Sequence, residues 1–387
     1  MRTVRFGLCL AVFAGCLVAG RSAGAYTHTR FPHVTQPAVW TMGYYAAYER
    51  DLMPVGSIPW TDLTHIAFGP VVPRADGTID RSMFLGPGAP AFAKQVTTAA
   101  KNNNVQPILM VGGAGAHRGF AAAMKNHRAA FITNLFKAMD QMGFTGVDLD
   151  LEPVSAGDRA PLVALARGLR RRDPNVTVTF PAGPETTTFP EQDTVDFYAH
   201  SLAPVVDHIA LMTYDMSGAY DGWDSWHFAP LYGESTPADC ANPCHPTSVD
   251  WSVRQFIAAG IPASELSIGV GFYGACWTPQ TGPGQPLDAG DEVASDNDMS
   301  YANIEAGYAS RMTYSYDTGA EQAELSSDTP VGGKNCTWIS YEDPRSVTAK
   351  GAYIKAQGLG GAIIWTIPEG RTGVTDPLLA ALHAALS

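Results

Sequence analysis

Positive charge is scarce in this chain. Its 387 residues hold 25 Lys and Arg against 37 Asp and Glu, a formal net charge of −12. A binder of nucleic acid or of an anionic lipid surface would be basic instead, so neither partner is expected. Long apolar runs are equally rare, and the one that exists lies in residues 1–25. There Arg2 and Arg5 precede an apolar stretch from Phe6 to Ala19, followed by Ala23-Gly24-Ala25. That order is the signature of a secretory signal peptide, and nothing later has the unbroken length of a transmembrane segment. The sequence therefore predicts an exported protein, extracellular or periplasmic, with residues 26–387 as the mature chain and no membrane contact after cleavage. Removal of three arginines and no acid would take the net charge from −12 to −15. Uncharged partners, such as neutral sugars, fit that balance.

Cysteine is also sparse, with six in all and two of them in the leader. The remaining Cys240, Cys244, Cys276 and Cys336 form an even set in an exported chain, which reads as two disulfides with three possible pairings. Pairing Cys240 with Cys244 and Cys276 with Cys336 is favoured, because each then closes one excursion. A four-cysteine zinc site would show two short pairs, and only one short pair exists. No repeat, low-complexity tract or Ser- or Pro-rich linker divides the chain, so an appended binding module is not expected. The length suits one large α/β domain with an insertion.

What is present is an alternation of short apolar runs with helical stretches. Strands are expected over 39–45, 63–72, 105–111, 144–152, 176–181, 206–214, 266–273 and 361–367. Helices are expected near 91–101, 128–142, 160–171, 194–202 and 346–357. Such spacing means βαβ units and a parallel sheet, and eight units close into a (β/α)8 TIM barrel covered on both faces. The stretch 274–345 is too long for a structureless loop. It is expected to form a small α+β insertion between strand 7 and helix 7, held by Cys276 and Cys336.

The fourth strand is the informative one. From Val147 to Glu152 apolar and acidic residues alternate strictly, so Asp148, Asp150 and Glu152 share one face while Val147, Leu149 and Leu151 share the other. Carboxylates spaced roughly 6.5–7 Å along a strand do not belong against an apolar core. They read as an acid row opening into a cleft, with Glu152 as the last strand residue before Pro153. Function in such a barrel sits at the carboxyl ends of its strands, where Tyr214, Asp215, Tyr273 and Trp365 also fall. Three inward carboxylates could in principle hold calcium or magnesium. No histidine or further acid stands where another ligand would be expected, so no metal and no cofactor are predicted.

At this point the chain resembles the family 18 glycoside hydrolases, the chitinases and their relatives. Thr145 to Glu152 is similar to the family's Asp-Gly-x-Asp-x-Asp-x-Glu strand. Met212 to Asp215 resembles its sixth-strand Met-x-Tyr-Asp, Gly269 to Trp277 its seventh strand, and Gly358 to Trp365 its eighth. The resemblance implies hydrolysis of β-1,4 bonds between N-acetylglucosamine units with retention, through attack by the substrate's own N-acetyl oxygen, the exception among retaining glycosidases. It implies Glu152 as general acid and base, and Asp150 orienting and stabilising the acetamido group, with Asp148 sharing its proton. Tyr214 and Asp215 would help hold that group, and Trp365 would floor the distorted ring. Tyr44, Phe68, Met212, Tyr273 and Trp277 match positions that shape the cleft. Chitin or its oligosaccharides would be the partner, and a monomer is expected. Two other readings stay open: an endo-β-N-acetylglucosaminidase acting on N-glycan cores, and a non-catalytic chitin-binding lectin. The chain departs from the pattern at Thr145, where the family has its first aspartate, at Ala114, where many members have tryptophan, and at Ala275, where many have arginine. Thr145 removes the most remote acid and should trim the coupling of the row, while Ala114 and Ala275 bear on the outer sugar subsites.

Overall fold

The computed structural model describes residues 39–81, 86–187, 191–220, 222–235 and 247–387. The expected leader at 1–25, and Cys240 with Cys244, lie outside the described residues. Among the described residues no helix is long and apolar enough to cross a membrane.

Eight parallel strands close into a barrel: β1 Trp40–Ala46, β2 His65–Pro73, β3 Gln106–Gly112, β4 Gly146–Asp150, β5 Thr177–Ala182, β6 His208–Leu211, β7 Leu266–Gly271 and β8 Gly361–Trp365. Each pairs with its neighbour in sequence, and β8 pairs with β1 to complete the ring. The fold class expected from the spacing of apolar runs is the one observed. Because side chains alternate across a strand, each strand feeds two layers. Met42, Tyr44, Ala67, Ile108, Met110, Ala210 and Ile363 fill the interior. Tyr45, Ile66, Leu109, Val111, Val147 and Leu149 point outward to the helices.

Those helices begin and end on readable signals. Ala89–Asn102 carries proline in its first turn, where the missing N–H costs nothing. Arg128–Met142 stops at Gly143, whose φ of 88° is the left-handed cap that glycine adopts without strain. Pro344–Gln357 starts on a reciprocal box between Asp343 and Ser346.

After β7 the chain leaves the barrel for a five-stranded antiparallel sheet. Its strands are Gly274–Trp277, Glu292–Ala294, Thr313–Asp317, Gln322–Val331 and Cys336–Tyr341, with one helix, Tyr301–Gly307. Cys276 and Cys336 are joined, Cα atoms 5.4 Å apart, closing a separation of 60 residues. This is one of the two pairings favoured from the sequence.

Candidate active site

The acid row lies where β4 reaches the top of the barrel. Asp148 is fully buried, and both its carboxylate oxygens accept hydrogen bonds. Tyr44 Oη on β1 donates to Oδ2 at 2.8 Å, and Thr179 Oγ1 on β5 donates to Oδ1. Burial pushes this carboxyl up to about 6 even though both donors pull it down, and the charge of Glu152 adds to the rise. Asp150 is buried as well, and its Oδ1 has no hydrogen-bond partner among the described residues. Burial holds its carboxyl well above the ordinary range, and the charges of Glu152 and Asp148 push it further.

Glu152 is placed differently from the expectation. The parallel ladder ends at Asp150, opposite Gly112, and Glu152 stands half-buried in the bend beyond it. Alternation of residue types continues for two residues after the hydrogen bonds stop. At that point Gly113 N donates to Asp150 O at 2.8 Å, drawing β3 tight against β4. Gly112 makes the approach possible: with φ at 110°, a Cβ there would fall 2.0 Å from Asp150 O. β6 and β7 also end short, so Tyr214, Asp215 and Tyr273 belong to the segments just past Leu211 and Gly271.

These segments bring the remaining groups around the row. Tyr44, Met110, Asp150, Glu152, Met212, Tyr214, Asp215, Tyr273 and Trp365 line one cleft of about 470 Å³. Tyr273 Oη donates to Asp215 Oδ2 at 2.7 Å, which partly offsets the burial that lifts Asp215 to about 6. Burial and the nearby acids, Asp150 first, raise the Tyr214 phenol well above its usual value, so it stays a hydrogen-bond donor. The Trp365 ring lies 5.4 Å from that of Tyr44, and its Nε1 donates to Asp296 Oδ1 at 3.0 Å. Asp215 and Asp296 both have left-handed backbone, with φ of 49° and 47°. Residues other than glycine adopt it where the surroundings enforce it, and here each carboxylate is held by an aromatic donor. A second cavity of about 690 Å³ shares Glu152, Ala114, Pro181 and Met212 with the first and runs on past Glu185, Glu191 and Tyr198.

Two expected cleft residues are elsewhere. Phe68 follows inward-facing Ala67, so alternation turns it outward, where it packs against Tyr45, Phe92 and Phe144 beneath the helices. Trp277 follows Tyr273 and Ala275 along one face of the insertion sheet and is fully buried with Trp338 and Phe228, ring centroids 6.0 Å apart from Trp338. It supports the wall and does not line the cleft. Ala275 is buried in that same layer, Ala114 lines the cleft, and Thr145 turns its hydroxyl to Pro107 O at 3.3 Å.

The sequence reading missed Tyr48 and Asp296, which line the cleft, and Thr179, which holds Asp148. Thr179 had a signal: it alternates with Val178 on the strand paired beside Asp148. Asp296 had none, since an acid in a polar excursion gives no indication of which aromatic it will meet.

Known proteins resemble this chain in sequence and fold. A family model described as glycosyl hydrolases family 18 matches residues 40–370. Chitinase 1 of Aphanocladium album is 25% identical over 379 residues, covering 88% of this chain and 82% of that protein. The crystal structure of Ostrinia furnacalis Group IV chitinase in complex with allosamidin superposes with a TM-score of 0.74 at 24% identity, covering 90% of this chain and 98% of that one. A chitinase-like agglutinin of Robinia pseudoacacia has the same fold, with a TM-score of 0.69 at 20% identity over 89% of this chain and 99% of that one.

Proposed function

Because the chain belongs to the glycosyl hydrolases of family 18, we propose that it hydrolyses β-1,4 bonds in chitin and its oligosaccharides, with retention and by substrate assistance. The observation that carries this reading is the position of Glu152 at the junction of two cavities. One has Asp150, Tyr214 and Trp365 around it; the other runs on past Glu185, Glu191 and Tyr198. A chain threaded through both presents its glycosidic oxygen to Glu152.

The sugar before the scissile bond sits on Trp365, since pyranose faces stack on aromatic rings. Its acetamido group points down to Asp150 and Tyr214. Asp148 carries the negative charge of the row, because donors on both its oxygens favour the ionised form there. Asp150 keeps its proton and turns between Asp148 and the acetamido group. In the first step the acetamido carbonyl oxygen forms a bond to C1, the bond from C1 to the leaving oxygen breaks, and Glu152 gives that oxygen its proton. The resulting oxazolinium cation is offset by the buried acid row. In the second step water adds to C1 from the side the leaving sugar occupied, Glu152 takes its proton, and the bond from C1 to the acetamide oxygen breaks, restoring the neutral acetamide. The product is the β-anomer.

The leader-like stretch at 1–25 supports export. N-terminal sequencing of protein recovered outside the producing cell, reading on from near residue 26, tests it. The reaction is tested by incubating the protein and its Glu152→Gln variant with an N-acetylglucosamine hexamer and following early products by chromatography. Release of short β-anomeric products by the wild type alone supports the reading. Binding by both proteins without cleavage favours a lectin, the activity that the Robinia agglutinin's name carries on the same fold. Absence of binding turns the search to N-glycan cores.

A further inference from the structure

Two buried acids beside the cleft have no part in the reaction just derived. Glu49 ends the short turn Ala47–Glu49 that follows β1, and Glu369 lies in the turn Ile367–Gly370 that follows β8, the strand paired with β1. They are 2% and 1% exposed. Both carboxyls close on one residue. Thr366 Oγ1 donates to Glu49 Oε2 at 2.6 Å, and Thr366 N donates to Glu369 Oε2 at 3.4 Å. The second oxygen of each, Oε1, is buried without a hydrogen-bond partner among the described residues. Nor does any ion pair reach either acid among those residues.

Acids and phenols bear on the pair. Asp296 acts on both acids and Asp215 on Glu369, while the phenols of Tyr45 and Tyr48 stand beside Glu49. The two nearby cations are engaged elsewhere: Arg50, next to Glu49 in the chain, lies 3.8 Å from Asp51 Oδ1, and Arg371, two residues after Glu369, lies 3.3 Å from Asp376 Oδ2. Two ionised carboxylates without a cation, buried and next to a third acid, are strongly disfavoured. Thr366 follows Trp365 directly in the chain, and Asp296 is the acid that holds the Trp365 indole.

We propose that Glu49 and Glu369 are positioning residues for Trp365. While the pair keeps a proton, its bonds to Thr366 hold the indole level in the cleft. Once both acids ionise, their mutual repulsion and that of Asp296 drive the two carboxylates apart, and Thr366, which donates to both, is drawn with them so that the indole tilts. The role of that indole as sugar floor rests on the reading above; its coupling to the acids does not.

The sign follows from burial. Burial lifts Glu49 to about 7, although the Thr366 bond pulls the other way, and lifts Glu369 well above its ordinary value, with the Glu49 charge adding to the rise. The folded protein thus binds protons here that the unfolded chain has lost. Stability from this source is full below the unfolded values and declines as pH rises through about 7 and beyond.

The test needs no sugar. Tryptophan emission of the full-length protein is followed from about pH 5 to 9, the span over which raised carboxyls ionise. The wild type is expected to show a transition at neutral to alkaline pH. Trp365→Phe should lose it, and Glu369→Gln should lose it too, since the amide keeps the shape and cannot ionise. Glu49→Gln carries the same expectation, so the test stands if one variant folds poorly. A flat wild-type profile overturns the proposal, as does a transition that survives in Trp365→Phe or in both amide variants. Failure of hexamer cleavage beside a positive emission result would remove the sugar reading and leave the coupling.

Discussion

Tyr44 and Asp148 are 104 residues apart in sequence and joined by a 2.8 Å hydrogen bond across the barrel. The bond ties the ionisation of the deepest acid to a phenol on another strand. Tyr44 lowers the Asp148 carboxyl, and Thr179 lowers it from the opposite side, against a burial effect that still leaves it at about 6. In Tyr44→Phe one donor is lost. A hydrogen bond to a charged group contributes about 1.5–3 kcal/mol, which corresponds to roughly one to two pH units. Asp148 must be ionised to carry the row's negative charge, so the acid limb of kcat should move to higher pH by about that amount. An acid limb that stays in place would mean that another group limits the rate at low pH.

Asp150→Asn keeps the shape of the side chain and removes its acid. An amide can still touch the acetamido group, but it cannot pass a proton along the row or offset a positive charge. Loss of one preorganised electrostatic partner costs on the order of 10²- to 10³-fold in kcat. The fall should appear in kcat with a much smaller change in KM, because the partner acts most strongly once charge develops. A rise in KM with kcat unchanged would make Asp150 a binding residue only.

Chelation should leave activity unchanged. Each oxygen of Asp148 already accepts a hydrogen bond, from Tyr44 and Thr179, and the carboxyl is fully buried. Among the described residues, no three His, Cys, Asp or Glu side chains are arranged to hold an ion. Activity lost to EDTA and restored by calcium would contradict this.

The barrel was legible because its signals are local and repeated. Strict alternation from Val147 to Glu152 can be read from the sequence of one segment, and the helix over 128–142 from another. What the sequence could not reveal depends on partners far away. The β4 ladder stops at Asp150 because the chain turns at Gly112, the last residue of β3, and at Gly113 after it, whereas the alternation of residue types runs on to Glu152. Glu49 meets Thr366 across 317 residues, and Asp296 meets Trp365 from within the insertion. Trp277 was assigned to the cleft from a motif position, which fixes its place along the chain and leaves open which face of the insertion sheet it takes.

Phe68 permits a direct test of that last distinction. A residue of the cleft and a residue of the outer core respond differently to truncation. Phe68 packs on Tyr45, Phe92 and Phe144, with centroids 5.7, 5.9 and 6.4 Å away, and none of the three lines the cleft. Phe68→Ala should therefore leave a cavity and lower stability by about 3–5 kcal/mol, read as an earlier unfolding midpoint in denaturant. At a temperature where the variant remains folded, KM for the N-acetylglucosamine hexamer should be unchanged, because no sugar touches this ring. Tyr44→Ala is the counterpart on the inner face, where the ring lies beside Trp365 and its hydroxyl holds Asp148. That change should impair turnover under conditions in which Phe68→Ala does not. If Phe68→Ala instead raised KM while leaving the unfolding midpoint in place, the outward orientation of residue 68 would be wrong, and with it the register that turns Ala67 inward.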